Sequence, residues 1–182
     1  MGSRIRSLVI GTAVPLAMLA PAGASEAPAL PAEVAREAPG LHELGAGKLT
    51  FLFWKIYDIA LYASGAQWQP QRPYALAVVY ARGFTGAEIA DEGVRQMRRL
   101  GYADGRDLER WRADMLQAFP GVAPGDRVAA VWLPPGDLQV YIDDKMTAEF
   151  KDPAFATAFF GMWLDPRTSE PALRRALLGA DR

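Results

Sequence analysis

GAGKLTFLFWKIYDIALYA, from Gly45 to Ala63, is the stretch of this 182-residue chain that decides its fold. Leu49, Phe51, Phe53, Tyr57, Ile59 and Leu61 recur at period two, and Lys55 breaks the apolar face. Side chains on an extended strand alternate between its two faces, so this spacing is a β signal. It predicts one long strand over 48–63, bulged near Trp54-Lys55. Gly65 and the Pro70/Pro73 pair then mark a loop, and YALAVVYAR (Tyr74 to Arg82) predicts a second strand with a β-branched and aromatic centre.

Downstream the period changes to that of helices. Thr85 and Glu88 have capping-box spacing, Ile89, Met97 and Leu100 share one face, and Gly101 closes the helix. A second helix is expected from about Asp107 to Phe119, with Leu108, Trp111, Met115 and Phe119 as its apolar stripe and Pro120 as its stop. Three short runs follow: Arg127 to Leu133, Leu138 to Ile142 and Met146 to Phe150. Turn residues 134–137 and 143–144 separate them, which reads as an antiparallel meander. Asp152 is placed to cap a third helix, with Pro153 at its first position and Phe155, Phe159 and Trp163 on its buried face. Ser169 is placed to cap a last helix holding Leu173 and Leu177, closed by Gly179. Two blocks of strands with helices between and after them define an α+β fold, an antiparallel sheet with helices on one face.

Upstream, Arg4 and Arg6 precede an apolar run from Leu8 to Ala20 interrupted by Pro15, and small residues follow at Ala22-Gly23-Ala24. That order is a secretory signal, with cleavage expected after Ala24 and a periplasmic or secreted product. The run is too short and too broken for a spanning helix. Residues 25–39, rich in Ala, Pro and Glu, read as a flexible leader into a domain over 40–182. There is no cysteine, which excludes disulfides, thiol catalysis and most structural zinc sites. Without Arg4 and Arg6 the chain holds 18 basic and 21 acidic residues, with no basic run to follow a phosphate backbone, so nucleic acid is excluded as a partner.

The strand and helix order, together with GAGKLTFLFWKIYDIALYA, TGAEIADEGVRQMRRLG (Thr85 to Gly101), GDRVAAVWL (Gly125 to Leu133) and AFFGMWLDPRTSEPALRRALLG (Ala158 to Gly179), resembles the chalcone isomerase-like family. The likeness covers most of the chain behind the signal and is greatest to the exported bacterial branch. It implies an open-faced β-sandwich with a ligand cleft between sheet and helices. Members of the family either cyclise chalcones or, like the plastid fatty-acid-binding proteins, bind a ligand without that reaction. Both kinds hold an anionic group with an Arg on the first cleft strand.

Carried over by that resemblance, the Arg position reads Lys48 and a strand Thr reads Tyr57. The helix positions for Tyr, Lys and Asn read either Thr85, Glu88 and Glu92 or Ile89, Glu92 and Gln96. A late Thr reads Ala158. Cyclisation requires cations and hydroxyls around a developing enolate, and an acidic residue in place of the helix Lys opposes it. The expectation is therefore a non-catalytic protein that binds a small apolar ligand with an acidic group through Lys48, Tyr57, Phe51 and Phe159, without metal or other cofactor. Two alternatives stand beside it: a lyase or isomerase for a phenolic or enone substrate, and an interaction module whose cleft is filled by Phe51, Phe53, Trp54, Phe159 and Phe160. Lys48 and Tyr57, nine apart, share a face only if a bulge or a turn intervenes. Tyr57 reads equally as a core tyrosine. His42 reads as a surface strand residue, Glu88 and Glu92 as a solvated helix face, Asp165 and Arg167 as a loop-fixing pair, and Trp111 and Trp163 as core.

Overall fold

The structure, a computed structural model, describes residues 27–180. The expected signal sequence lies outside the described residues. After a short helix α1 (Ala32–Glu37), the chain forms strands β1 (His42–Phe51), β2 (Trp54–Ala63) and β3 (Tyr74–Tyr80), and a two-residue strand β4 (Phe84–Thr85). Helices α2 (Gly86–Leu100) and α3 (Gly105–Ala118) follow, then β5 (Gly121–Val122), which pairs with β4. Strands β6 (Arg127–Leu133), β7 (Asp137–Ile142) and β8 (Lys145–Phe150) and helices α4 (Pro153–Leu164) and α5 (Pro171–Leu177) complete the domain. The main sheet has six antiparallel strands in the order β1-β2-β3-β6-β7-β8.

The long strand expected over 48–63 is instead a hairpin. β1 turns into β2 through Leu52 and Phe53, with Phe51 opposite Trp54 and Leu49 opposite Tyr57. Period two continues across a two-residue turn without a break, so hydrophobic alternation cannot reveal it. The turn also lacks the Asn-Gly or Asp-Gly signature of a tight hairpin. Leu52 sits at φ 54°, in the left-handed region that a leucine rarely adopts.

Helices α2 to α5 cover one face of the sheet. That face contributes Tyr57, Ile59, Leu61, Leu76, Val78, Val128 and Val140 to the main core, where they meet Met97, Trp111, Phe155, Phe159 and Phe160 from the helices. Complete burial of each such large side chain favours folding by about 1.5–3 kcal/mol. α5 lies directly on β1: a Cβ on Gly45 would stand 2.1 Å from the Ala176 carbonyl oxygen, and one on Gly47 2.6 Å from Leu173. Those two glycines are what allow the helix to reach the strand.

The opposite face is not bare. Val34 of α1 is buried against Ala75, Ala129, Val131 and Tyr141, and the Tyr62 hydroxyl donates to the Pro28 carbonyl at 3.0 Å. The part of the expected flexible leader that is described, residues 27–39, is thus docked on the back of the sheet. Its alanines and prolines hide one well-placed valine that composition alone did not single out.

Helix ends follow local chemistry. The Thr85–Glu88 capping box is present, with Glu88 N–H donating to Thr85 Oγ1 and Thr85 N–H to Glu88 Oε2. Asp152 caps α4 by accepting from the Ala154 and Phe155 amides, and its other oxygen accepts from Trp111 Nε1 and Arg110, which ties α3 to α4. α3 begins at Gly105, two residues before the expected start. α5 begins one residue later than a Ser169 cap requires: Glu170 is its N-cap and Pro171 its first residue, while Ser169 Oγ donates instead to Gln96.

Candidate functional site

A cleft of about 700 Å³ opens between the sheet and helices α2, α3 and α4. Its sheet wall is built by Leu49, Tyr57, Leu76, Val78, Tyr80 and Val128, which point toward the helices from neighbouring strands. The helix wall is Ile89, Gly93, Met115, Phe119, Phe159 and Met162. Phe119 and Phe159 stack in parallel at 6.2 Å, and Tyr57 meets Tyr80 edge to face at 5.7 Å. An apolar volume with few polar groups is the usual form of a small-molecule site.

Inside it, Trp163 Nε1–H donates to Tyr57 Oη at 2.9 Å. That bond uses the oxygen of Tyr57 and leaves its O–H to donate elsewhere. Burial pushes the Tyr57 phenol well above its usual value, despite the opposing Trp163 bond, and burial pushes Tyr80 up to about 12. Both are neutral hydroxyls at physiological pH. Trp163 is half-buried, packed against the edge of the main core while also lining the cleft wall, a double placement that the aromatic spacing of α4 did not distinguish.

Polar side chains gather at the exposed rim. Glu92 accepts from Arg95 through both carboxylate oxygens and from Gln96 Nε2 at 2.8 Å. Arg99 donates to Gln96 Oε1 at 3.2 Å and to the Arg167 carbonyl at 3.3 Å, both neutral acceptors, and among the described residues it forms no ion pair. Glu88 also lies at the rim, and its hydrogen bonds from the Thr85 amide and hydroxyl hold its carboxyl below the ordinary value. The segment after α4 is locked from below. Asp165 accepts from the Arg167 amide and guanidinium and from Tyr102 Oη at 2.7 Å, and Thr168 Oγ1 donates to the Met162 carbonyl at 2.6 Å. A Cβ on Gly161 would stand 2.3 Å from the Tyr102 hydroxyl, so this glycine makes room for the latch. Ser169 and Glu170 are thereby fixed at the rim.

Of the four residues expected to meet a ligand, Tyr57, Phe51 and Phe159 line the cleft and Lys48 does not. The hairpin turn supplies the change of direction that would unite Lys48 with Tyr57, but in the wrong register: Leu49 opposes Tyr57, and Lys48 opposes Asp58. Lys48 is exposed on the other face. Cation positions reached by sequence reasoning therefore stop one residue short, and Arg99, read there only as part of a helix, stands at the cleft instead. Phe51, Phe53 and Trp54 do not fill the cavity, because the turn carries them outward. His42 is an exposed residue at the start of β1. Among the described residues no group of three or more His, Cys, Asp or Glu side chains could hold a metal ion.

A sequence model of the chalcone isomerase-like family matches residues 26–179, and the chain belongs to that family. An uncharacterized protein from Haemophilus influenzae is 29% identical over 137 residues, which span 75% of this chain and 67% of that one. The crystal structure of a fatty-acid binding protein from Arabidopsis thaliana superposes with a TM-score of 0.60 at 11% identity, covering 78% of this chain and 88% of the other. At that identity the likeness speaks for the fold: a mixed α+β domain with an antiparallel sheet, as the sequence led us to expect, of six strands where the single long strand predicted over 48–63 gave five.

Proposed function

We propose that this chain is an exported, non-catalytic binding protein for a small apolar molecule with an acidic end, of the fatty-acid kind. The observation that carries the reading is the pairing of a 700 Å³ apolar cleft with a rim arginine, Arg99, that no carboxylate neutralises among the described residues. The acyl part would lie along Leu76, Val78, Met115 and Phe159, and the acid group would meet Arg99, with the Tyr57 O–H as a neutral donor deeper in. The groups of the cleft with displaced ionisation, Tyr57, Tyr80 and Glu88, all move away from neutrality, whereas a general acid or base works best with its pKa near the working pH. The fatty-acid binding protein of like fold is in keeping with that ligand class. Export rests on the order of Arg4, Arg6, the apolar run and Ala22-Gly23-Ala24.

Titration of tryptophan fluorescence with hexadecanoic acid and hexadecanol tests the reading. A charge-assisted hydrogen bond contributes about 1.5–3 kcal/mol, which corresponds to roughly ten- to 150-fold tighter binding of the acid. Arg99→Gln is expected to erase that preference and keep the apolar affinity, while Lys48→Met, outside the cleft, is expected to leave both. Equal affinities for acid and alcohol in the parent protein would remove the acidic end from the proposal, and binding of neither would remove the ligand class.

A further inference from the structure

The β1–β2 turn presents four consecutive large apolar residues to solvent: Phe51 is 67% exposed, Leu52 75%, Phe53 95% and Trp54 61%. Neither the turn nor water favours them. A tight hairpin selects Asn, Asp or Gly where Leu52 holds a positive φ, and a water-facing tip selects polar residues. A contiguous exposed apolar patch of this kind marks a surface that something covers.

Its surroundings indicate what. Lys48 and Lys55 flank the tip on the two strands, against the single acid Asp58 between residues 48 and 58, which Lys55 contacts at 2.7 Å. Arg82 places its guanidinium 4.9 Å above the Trp54 ring. Trp and Phe at the tip with cations just behind them is the arrangement that suits the boundary between lipid headgroups and acyl chains. Phe51 belongs both to the tip and to the lining of the cleft, so the cavity mouth opens beside the patch. Among the described residues no helix is long and apolar enough to cross a membrane, so contact through this tip would be peripheral.

We infer that the Phe51–Trp54 tip docks on an anionic lipid bilayer and seats the mouth of the cleft against it. Phe53 and Trp54 enter the headgroup boundary, and Lys48, Lys55 and Arg82 face the lipid phosphates. This docking does not depend on which ligand the cleft holds.

The test is flotation of the chain, as recovered from cells, with vesicles of phosphatidylglycerol and phosphatidylethanolamine, beside its L52N/F53S variant. Any contribution of the N-terminal segment is common to both proteins, so their difference isolates the tip. The substitutions lie at exposed positions and replace a leucine at positive φ with a residue that tolerates it. Thermal unfolding of the variant is therefore expected at or above the parent's midpoint, while its partitioning onto vesicles falls at least tenfold. Hexadecanoic acid affinity measured without vesicles is expected to be unchanged in the variant, which separates docking from ligand binding. Equal flotation of the two proteins, or no flotation of the parent, would overturn the inference. So would sedimentation showing a parent dimer that L52N/F53S dissolves, because a second copy would then be what covers the tip.

Discussion

Trp163 and Tyr57, 106 residues apart in the chain, are joined by a 2.9 Å hydrogen bond across the cleft, with the indole N–H as donor and the phenol oxygen as acceptor. The direction matters. Burial keeps the phenol protonated, so its own O–H is left to face the cavity. With the ligand's one polar end at Arg99, an acyl tail offers this O–H no acceptor, so Tyr57→Phe is expected not to weaken binding of either hexadecanoic acid or hexadecanol. Trp163→Phe leaves the phenol in place but unaligned and is likewise expected to leave the preference for the acid unchanged. Parallel titrations of the two variants measure this. A loss confined to the acid would mean that Tyr57 is part of the charged-end site.

The second prediction concerns Asp165. Its carboxylate accepts from the Arg167 side chain and amide and from Tyr102, and chiefly the Arg167 bonds hold its ionisation well below the ordinary carboxylate range, against the effect of burial. A carboxyl with a depressed native value adds stability that is complete above its unfolded value and disappears as pH falls toward the native one. Asp165→Asn is expected to lower stability at neutral pH by about 1.5–3 kcal/mol, the range for hydrogen bonds to a charged group. The gap between parent and variant should hold down to about pH 5, since an unfolded aspartate titrates near 3.9, and narrow below it. Urea unfolding at several pH values reads this directly. A gap independent of pH would assign the loss to packing around Tyr102.

Local signals in the sequence were the ones that survived folding. The Thr85–Glu88 box, the Asp152-Pro153 start of α4 and the turns of the meander are each decided by residues within four positions of one another, and each is present. Features that depend on register or on distant partners were hidden. Nothing in the alternation from Leu49 to Leu61 distinguishes one strand from two or fixes where the chain turns, and the place of the turn decides that Leu49, not Lys48, opposes Tyr57. Arg99 at the cleft depends on how α2 lies against the segment after α4, which contributes the Arg167 carbonyl 68 positions away. Val34 in the N-terminal segment is buried by strands 41 to 107 residues further on.

Export gives a third prediction. Arg4 and Arg6, the apolar run and Ala22-Gly23-Ala24 stand in the order that a signal peptidase reads, so the protein recovered from the periplasm is expected to begin at Ser25. N-terminal sequencing of that fraction decides it. Full-length protein confined to the cytoplasm would contradict the reading.

The last prediction concerns catalysis. Cyclising a chalcone needs a phenolate held beside an unsaturated ketone, with positive charge and hydroxyl donors where the enolate forms. Here the helix facing the cleft offers Glu88 and Glu92, and Glu88 is an ordinary carboxylate made more acidic by its capping bonds. Glu92 already binds Arg95 and Gln96. Tyr57 and Tyr80 can donate hydrogen bonds, but burial removes them as bases near neutrality. The cleft's cations, Arg95 and Arg99, stand at the exposed rim with Arg95 held by Glu92, so among the described residues a phenolate lying inside meets no base on the sheet side and no cation beside it. We expect chalcone absorbance to decay at the same rate with and without the protein, at any pH from 6 to 8. A protein-dependent rate that Tyr57→Phe or Arg99→Gln abolishes would place an active site in this cleft and displace the binding-only reading.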